Sequence, residues 1–420
     1  MTAQHGAVGT DARDAERHAA ALLRTAAAVR DRSEQLLDRA RGGESAWWTV
    51  HEEALAATAD DVAAVTRARF PDLDIPYHSR WNHFQAGGID RTGDLGTLLA
   101  DLGRRERGRA MIDLAVVSVL LDAGAGADWG FVEERDGTRT RFERSEGLAV
   151  ASWHAFVDGE FSSDPARPLA VDAAALQRVS AEQLATLFQV GPGNPLVGID
   201  GRAALIRRLG AAMADRPETF GPEGRPGALL DALTKQGDTV EASEILGVLL
   251  STLSPIWLSG NRIGQHPLGD CWRHDAVAGP GLSAGWIPFH KLSQWLTYSL
   301  IEPFEGAGVT VTGVESLTGL PEYRNGGLLM DSGVLRLRDG SHALQTWTPA
   351  DELVVEWRAL TVALLDELAP LVCTRLRLDP AHTPLACVLE GGTWAAGRAA
   401  AQRCRQGRPP LSISSDGTVF

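Results

Sequence analysis

Between residues 12 and 41, and again from 50 to 68, Ala, Leu and Val recur at three- and four-residue spacing between charged positions. That spacing is the pattern of amphipathic helices with one face on a core. The two are expected to pack as an N-terminal helical hairpin over residues 1–70. The helical period returns over about 104–123, 145–158, 180–189, 200–215, 226–236 and 289–305. Ser180 followed by Gln183 reads as a capping box, and Thr348-Pro349 with Asp351 opens a helix to about 369. An Ala-rich helix over about 383–405 closes the series. The run Leu114 to Leu121, bounded by Asp113 and Asp122, is far too short to cross a bilayer and predicts a buried helix.

Strand signals are few. Phe131-Val132-Glu133 and Thr140-Arg141-Phe142 flank Asp136-Gly137 as a short hairpin, 309–315 is a short extended piece, and 333–338 alternates. Two segments break the periodicity. Residues 77–91 mix aromatic, cationic and glycine positions without a helical period, as loops that line a site do. Residues 259–288 hold six glycines and three prolines and predict a long loop. The expected fold is mainly α: one compact helical domain with a small β hairpin or sheet, residues 71–420 forming its catalytic part.

Composition changes this picture only by exclusion. With 420 residues and 44% hydrophobic content the chain has ample material for a core. Its 54 acidic against 40 basic side chains give a net charge of −14, which repels polymeric nucleic acid and anionic membrane. A small phosphorylated ligand stays admissible, because charges more than about 10 Å apart are largely screened. Cys271, Cys373, Cys387 and Cys404 are widely spaced, so reduced thiols rather than disulfides or zinc are expected. The opening Met1-Thr2-Ala3-Gln4-His5 lacks the apolar core of a secretion signal, so the cytoplasm is the expected location.

Several motifs dissolve on inspection. Gly281-Leu282-Ser283-Ala284-Gly285 matches the serine-hydrolase elbow, yet neither the strand before it nor the helix after it is predicted. His78/His83 and His266/His274 lack the spacing of zinc enzymes, and no Walker or dinucleotide loop occurs, so neither metal nor cofactor is expected. Two stretches carry chemistry. Phe289-His290-Lys291-Leu292-Ser293-Gln294 places a cation and backbone amides at a helix start, which favours an anion or equally describes an ordinary first turn. Pro321-Glu322-Tyr323-Arg324 sets one carboxylate between a rigid and an aromatic residue; the bland alternative is a surface turn with Arg324 paired nearby.

At these residues the chain resembles the uracil-catabolism proteins of the pathway that opens the pyrimidine ring and releases urea. The matching blocks are Tyr77-His78-Ser79-Arg80-Trp81, Gly87-Gly88-Ile89-Asp90-Arg91, Arg144-Ser145-Glu146-Gly147-Leu148, Val197-Gly198-Ile199-Asp200-Gly201, Phe289 to Leu296, and Leu317 to Gly327, covering nearly all of residues 70–370. A more distant resemblance is to the queuosine-salvage N-glycosidases. They carry Phe-(His/Tyr)-Lys-x-x-Gln, Asp-Tyr-Arg and Glu-x-Arg in order, here Phe289-His290-Lys291-x-x-Gln294, Glu322-Tyr323-Arg324 and Glu356-Trp357-Arg358, with Pro195-Leu196-Val197 and Arg202 upstream. Glu322 is one methylene longer than the aspartate of those relatives, whose fold is helical and like that of DNA glycosylases.

The resemblance implies a hydrolase that cleaves the N-glycosidic bond of ribosylurea or its 5-phosphate, giving urea and ribose or ribose phosphate. Glu322 is the expected carboxylate under the anomeric carbon, as nucleophile or as electrostatic stabiliser. Asp90, His290 and Asp200 are alternative proton donors to the leaving group. Lys291, Arg324 and Arg91 would hold a phosphate; Trp81, Phe84 and Tyr323 would form an apolar wall; Arg80, Gln294, Arg202, Glu356 and Arg358 complete the substrate-binding set. The partner is then a small nucleoside- or nucleotide-derived molecule, and a homodimer is left open. Two other functions stay open: a non-catalytic binding or regulatory protein of pyrimidine degradation, and a serine amidohydrolase attacking a ureido group through Ser283.

Overall fold

The computed structural model describes residues 4–126, 128–414 and 418, with side chains from residue 12 onward. Met1 to Ala3, part of the N-terminal stretch considered above, lie outside the described residues. Helix dominates, and strands occur among the described residues only as six two-stranded pairings. The chain forms two compact units. The first comprises Met1–His78, Ser259–Gln294 and Val314–Ser414; the second is built mainly from Ser79–Leu258 and Trp295–Gly313.

The spine of the first unit is the helix Glu352–Leu376. Its stretch Leu353 to Leu365 is apolar on nearly every side and buried throughout, as a helix enclosed by neighbours must be. Helices Ala26–Arg41 and Leu55–Arg69 both pack on it. Its start lies four residues past Thr348: the Asp351 carboxylate accepts from the Thr348 backbone N–H at 2.6 Å and hydroxyl at 2.9 Å, so the acid holds the threonine. The helix also continues through Pro370, ending where Arg377 turns left-handed at φ 62°.

The periodic stretch 12–41 is two helices, Gln4–Leu23 and Ala26–Arg41. Thr25 leaves helical dihedrals and its hydroxyl accepts from Ala28 N, restarting the chain with an N-cap. The first of these helices supports the glycine-rich stretch 259–288. Ala19, Ala20 and Leu23 pack against Ile263, Leu268, Cys271 and Trp286, and the stretch folds into two ladders, Arg262–Ile263 with His266–Pro267 and Cys271–Arg273 with Trp286–Pro288. Strand Trp48–Val50 pairs antiparallel with Leu335–Leu337, one half of the alternating segment 333–338.

In the second unit the buried helix is Arg104–Leu120, and the hairpin Gly130–Arg135 with Thr138–Glu143 turns on Asp136 and Gly137, both at positive φ. Residues 79–91, read as loop, contain a helical turn Arg80–Phe84 and a 3-10 turn Ala86–Gly88. Helix Ala242–Leu253 escaped the sequence reading; it opens on a reciprocal Glu241–Glu244 capping box. The extended piece near 309–315 is the strand Thr310–Thr312, parallel to Thr239–Glu241. Among the described residues no helix is long and apolar enough to cross a membrane. Cys271, Cys373 and Cys387 are buried free thiols and Cys404 is exposed.

Back in the first unit, helix Tyr323–Asp331 packs on Trp394–Arg405 at a distance only glycine permits. A Cβ on Gly397 would lie 2.3 Å from the Arg324 carbonyl oxygen, and one on Gly326 would lie 2.7 Å from the Trp357 ring. Gly397→Ala is expected to lower the unfolding free energy by about 1–3 kcal/mol, since this clash outweighs the roughly 1 kcal/mol that alanine gains in a helix. Urea titration checks it; an unchanged or higher midpoint would show that the two helices separate freely.

Candidate active site

The first unit brings Phe289, His290, Lys291, Gln294, Glu322, Tyr323, Arg324, Glu356 and Arg358 into one set of packed elements. Their common anchor is Asp270, which the sequence reading passed over. It is buried, and its carboxylate accepts a bidentate pair from Arg358 at 2.7 and 2.8 Å, the Trp272 indole at 2.7 Å and the Lys291 backbone N–H at 3.0 Å. Its carbonyl accepts from Phe289 N and His290 N. Burial works against its charge, but the Arg358 guanidinium and these donors prevail and hold the carboxyl down at about 2. Arg358 in turn lies over the Phe289 ring, 4.1 Å from its centroid. Three stretches distant in sequence are thereby locked together.

His290 adopts φ 50°, a conformation few non-glycine residues accept without cost. It is held there by the bond to Asp270 and by its ring: Nε2 donates to the Leu23 carbonyl at 2.9 Å. Burial lowers the imidazole pKa, keeping the ring neutral, so His290 is poorly suited to donate a proton. The His290 carbonyl accepts from Gln294 N at 2.8 Å, closing the first turn of helix Lys291–Gly306. Lys291 and Gln294 occupy that turn, both buried.

Glu322 is the N-cap of helix Tyr323–Asp331, half-buried, with Oε2 accepting from Arg324 N at 2.7 Å and Oε1 from Asn325 N at 2.6 Å. Burial raises its pKa above the ordinary 4.5, opposed by the two amides and by the charges of Arg324 and Lys291. The carboxylate is thus held rigidly in a poorly solvated place, next to two cations and a helix N-terminus. Arg324 is buried and stacked over Tyr323 at 4.8 Å and Trp394 at 5.7 Å. Trp394 follows a π-helical turn, Leu389–Thr393, a feature frequent near functional sites. Glu390 in that turn accepts from Arg69 at 2.9 Å and from His78 Nδ1 at 2.8 Å.

Glu356 faces a different set of partners: the Ser45 hydroxyl and His274 Nε2, the latter at 3.1 Å. His274, Glu352 and Glu356 offer ligand atoms within 4.8 Å of one another, a spacing a cation could bridge. The tautomer argues otherwise. His274 Nδ1 accepts from Ala276 N, so in the neutral ring the proton is on Nε2, donated to Glu356. Metal ligation through Nε2 would require a proton on Nδ1, facing that amide.

The remaining sequence candidates belong to the second unit. Asp90 and Asp200 are exposed, Asp90 capping helix Arg91–Leu98 through Gly93 N at 2.8 Å. Arg80, Arg91 and Arg202 are wholly buried clamps. Arg80 engages Ser118 and Asp122, Arg91 engages Glu133 and the Phe84 and Ala86 carbonyls, and Arg202 engages the Leu121 and Ala123 carbonyls. Trp81 and Phe84 pack edge to face at 5.3 Å in the core. Asn325, Asp270, His78 and Glu390 carry no site role in the sequence analysis, although His78 and Asn325 lie inside the matching blocks. Asp270 left a physical signal, a charge inside the otherwise apolar run Leu268 to Trp272, which demands a buried partner.

A family model described as a protein of unknown function, DUF1688, matches residues 22–420. The chain belongs to that family. The protein named uracil catabolism protein 4 of Lachancea kluyveri is 41% identical over 378 residues, covering 82% of this chain and 85% of its own. Protein urg3 of Schizosaccharomyces pombe is 38% identical over 406 residues, covering 93% of this chain and 96% of its own. The blocks around His290 and Glu322 thus fall within the family match.

Asp270→Asn would leave the Arg358 guanidinium buried beside a neutral amide, at an expected cost of about 3–5 kcal/mol in unfolding free energy. The pH dependence has a definite sign. Because folding lowers this pKa from 3.8 to about 2, the stabilisation is complete above about 3.8 and lost as pH falls toward 2. Denaturant titrations at pH 7 and through the acid range should find both the cost and a shallower acid limb in the variant. A variant as stable as the parent would refute the anchoring role.

Proposed function

We propose that this chain is an N-ribohydrolase of uracil catabolism, releasing urea from ribosylurea or its 5-phosphate. Supporting the pathway is the name of its Lachancea kluyveri relative, at 41% identity. Supporting the chemistry is one observation above the rest: the Glu322 carboxylate, fixed by two backbone amides and flanked by the charges of Lys291 and Arg324. Breaking a ribosyl C–N bond develops positive charge on the sugar, and a fixed carboxylate in a poorly solvated place stabilises that charge without reorganising. The two cations serve a phosphate or other anionic end of the substrate, converting binding into orientation. The bond from C1′ to the urea nitrogen breaks with its electron pair going to nitrogen, water supplies hydroxyl to C1′, and the nitrogen gains a proton. The serine alternative has less support, because Ser283 is buried, donates to the Pro280 carbonyl at 2.8 Å and accepts from Arg32.

Purified protein given ribosylurea, with and without 5-phosphate, is expected to release urea; ligand binding without release would favour a binding protein instead, and ammonia as product would favour an amidohydrolase. Glu322→Gln keeps one side-chain acceptor for the cap but loses the charge, so kcat should fall by about two to three orders of magnitude with folding retained. A fully active variant would sink the assignment. Because the working form is the carboxylate and burial raises its pKa above the ordinary 4.5 in the free enzyme, kcat/KM should decline on the acid side with a midpoint above 4.5. Flat activity down to pH 4 would contradict it.

A further inference from the structure

Two wholly buried amide side chains adjoin the segment that leads into Glu322. Gln294 approaches it from helix Lys291–Gly306, its Oε1 near Thr318 N at 3.4 Å. Asn325 approaches it from the first turn of helix Tyr323–Asp331, its Nδ2 donating to the Leu320 carbonyl at 3.1 Å. Asn325 is also tied to Glu322 directly, its backbone N–H donating to Oε1. Each side chain keeps one polar atom without a hydrogen-bond partner among the described residues: Nε2 of Gln294, a donor, and Oδ1 of Asn325, an acceptor. Gln294 is 0% and Asn325 1% exposed. An unsatisfied buried polar atom costs about 1–3 kcal/mol, so two of opposite sense along one short segment call for a ligand that satisfies both.

We propose that Asn325 and Gln294 form the subsite for the ureido end of the substrate, the Asn325 Oδ1 accepting from its terminal NH2 and the Gln294 Nε2 donating to its carbonyl oxygen. This rests on the ribosylurea reading and assigns the leaving-group side of the same site. A ureido group carries one carbonyl acceptor beside N–H donors, the complement of these two atoms. The subsite also bears on the reaction. As the C1′–N bond breaks, its electron pair delocalises toward the urea oxygen, and a donor bonded to that oxygen stabilises the charge. Asn325 has the specificity role, because an analogue with methyl in place of NH2 leaves its oxygen buried and unpaired.

The test compares ribosylurea with N-acetyl ribosylamine, which differs only by that methyl. Wild-type protein is expected to prefer the ureido compound by about a hundredfold or more in kcat/KM, since sites built to hydrogen-bond a substrate group strongly reject analogues lacking it. Asn325→Leu should bring the ratio near one, chiefly by losing ureido turnover. A merely structural asparagine would lower both rates and leave the ratio unchanged, which overturns the proposal. If Asn325→Leu fails to fold, Asn325→Ser and the wild-type ratio decide the matter. Urea release from ribosylurea with equal use of the acetyl compound sinks the subsite and spares the function. If neither compound is cleaved, the proposed function falls, and calorimetric titration with each judges the subsite: ureido preference upholds it, equal or absent binding overturns it.

Discussion

One buried ion pair organises the first unit. Asp270 and Arg358 meet bidentately with almost no solvent, and charges so placed are tolerated only when every nearby donor and acceptor agrees. The Asp270 carboxylate also receives Trp272 and the Lys291 amide, while its carbonyl receives Phe289 and His290. The glycine-rich ladders, the first turn of the Lys291 helix and the long Glu352–Leu376 helix are consequently tied together within the first unit. His290 holds its left-handed backbone among these elements, its N–H bonded to the Asp270 carbonyl and its ring to the Leu23 carbonyl.

On this frame the candidate chemistry is a matter of electrostatics rather than of mobile groups. Glu322 caps a helix, so its oxygens are aimed by the backbone itself, and burial sets its affinity for protons against two amides and two cations. Capping and transition-state stabilisation use the same property, a carboxylate that is ionised and immobile. The glycines after it have a related purpose: Gly326 admits the Trp357 ring and Gly397 admits the Arg324 carbonyl, so the cap, the arginine and Trp394 approach closely.

Legibility of the site followed the chemistry of each residue. Phe289 to Gln294 and Glu322 to Arg324 could be picked out because unusual residue types cluster locally, and the first unit does bring those two stretches together. The roles of Asn325, His78 and Glu390 could not, because what distinguishes them is a partner hundreds of residues away or a loss of solvent that no local pattern encodes, and Asp270 showed only an odd charge without its partner. Arg80, Arg91 and Arg202 illustrate the converse: a cationic motif looks alike whether it faces a ligand or clamps carbonyls and carboxylates in a core.

By itself the sequence determined the helical class, most helix positions, the Asp136-Gly137 hairpin and the two blocks that carry the candidate chemistry, because periodicity, caps and turn residues act over a few positions. Tertiary structure decided the rest. It divided residues 12–41 at Thr25, folded 259–288 into ladders against Ala19, Ala20 and Leu23, extended the spine helix through Pro370, and matched Asp270 to Arg358. The reason is the range of the forces: dihedral preference and capping are local, whereas burial and ion pairing depend on which distant segments exclude water from one another.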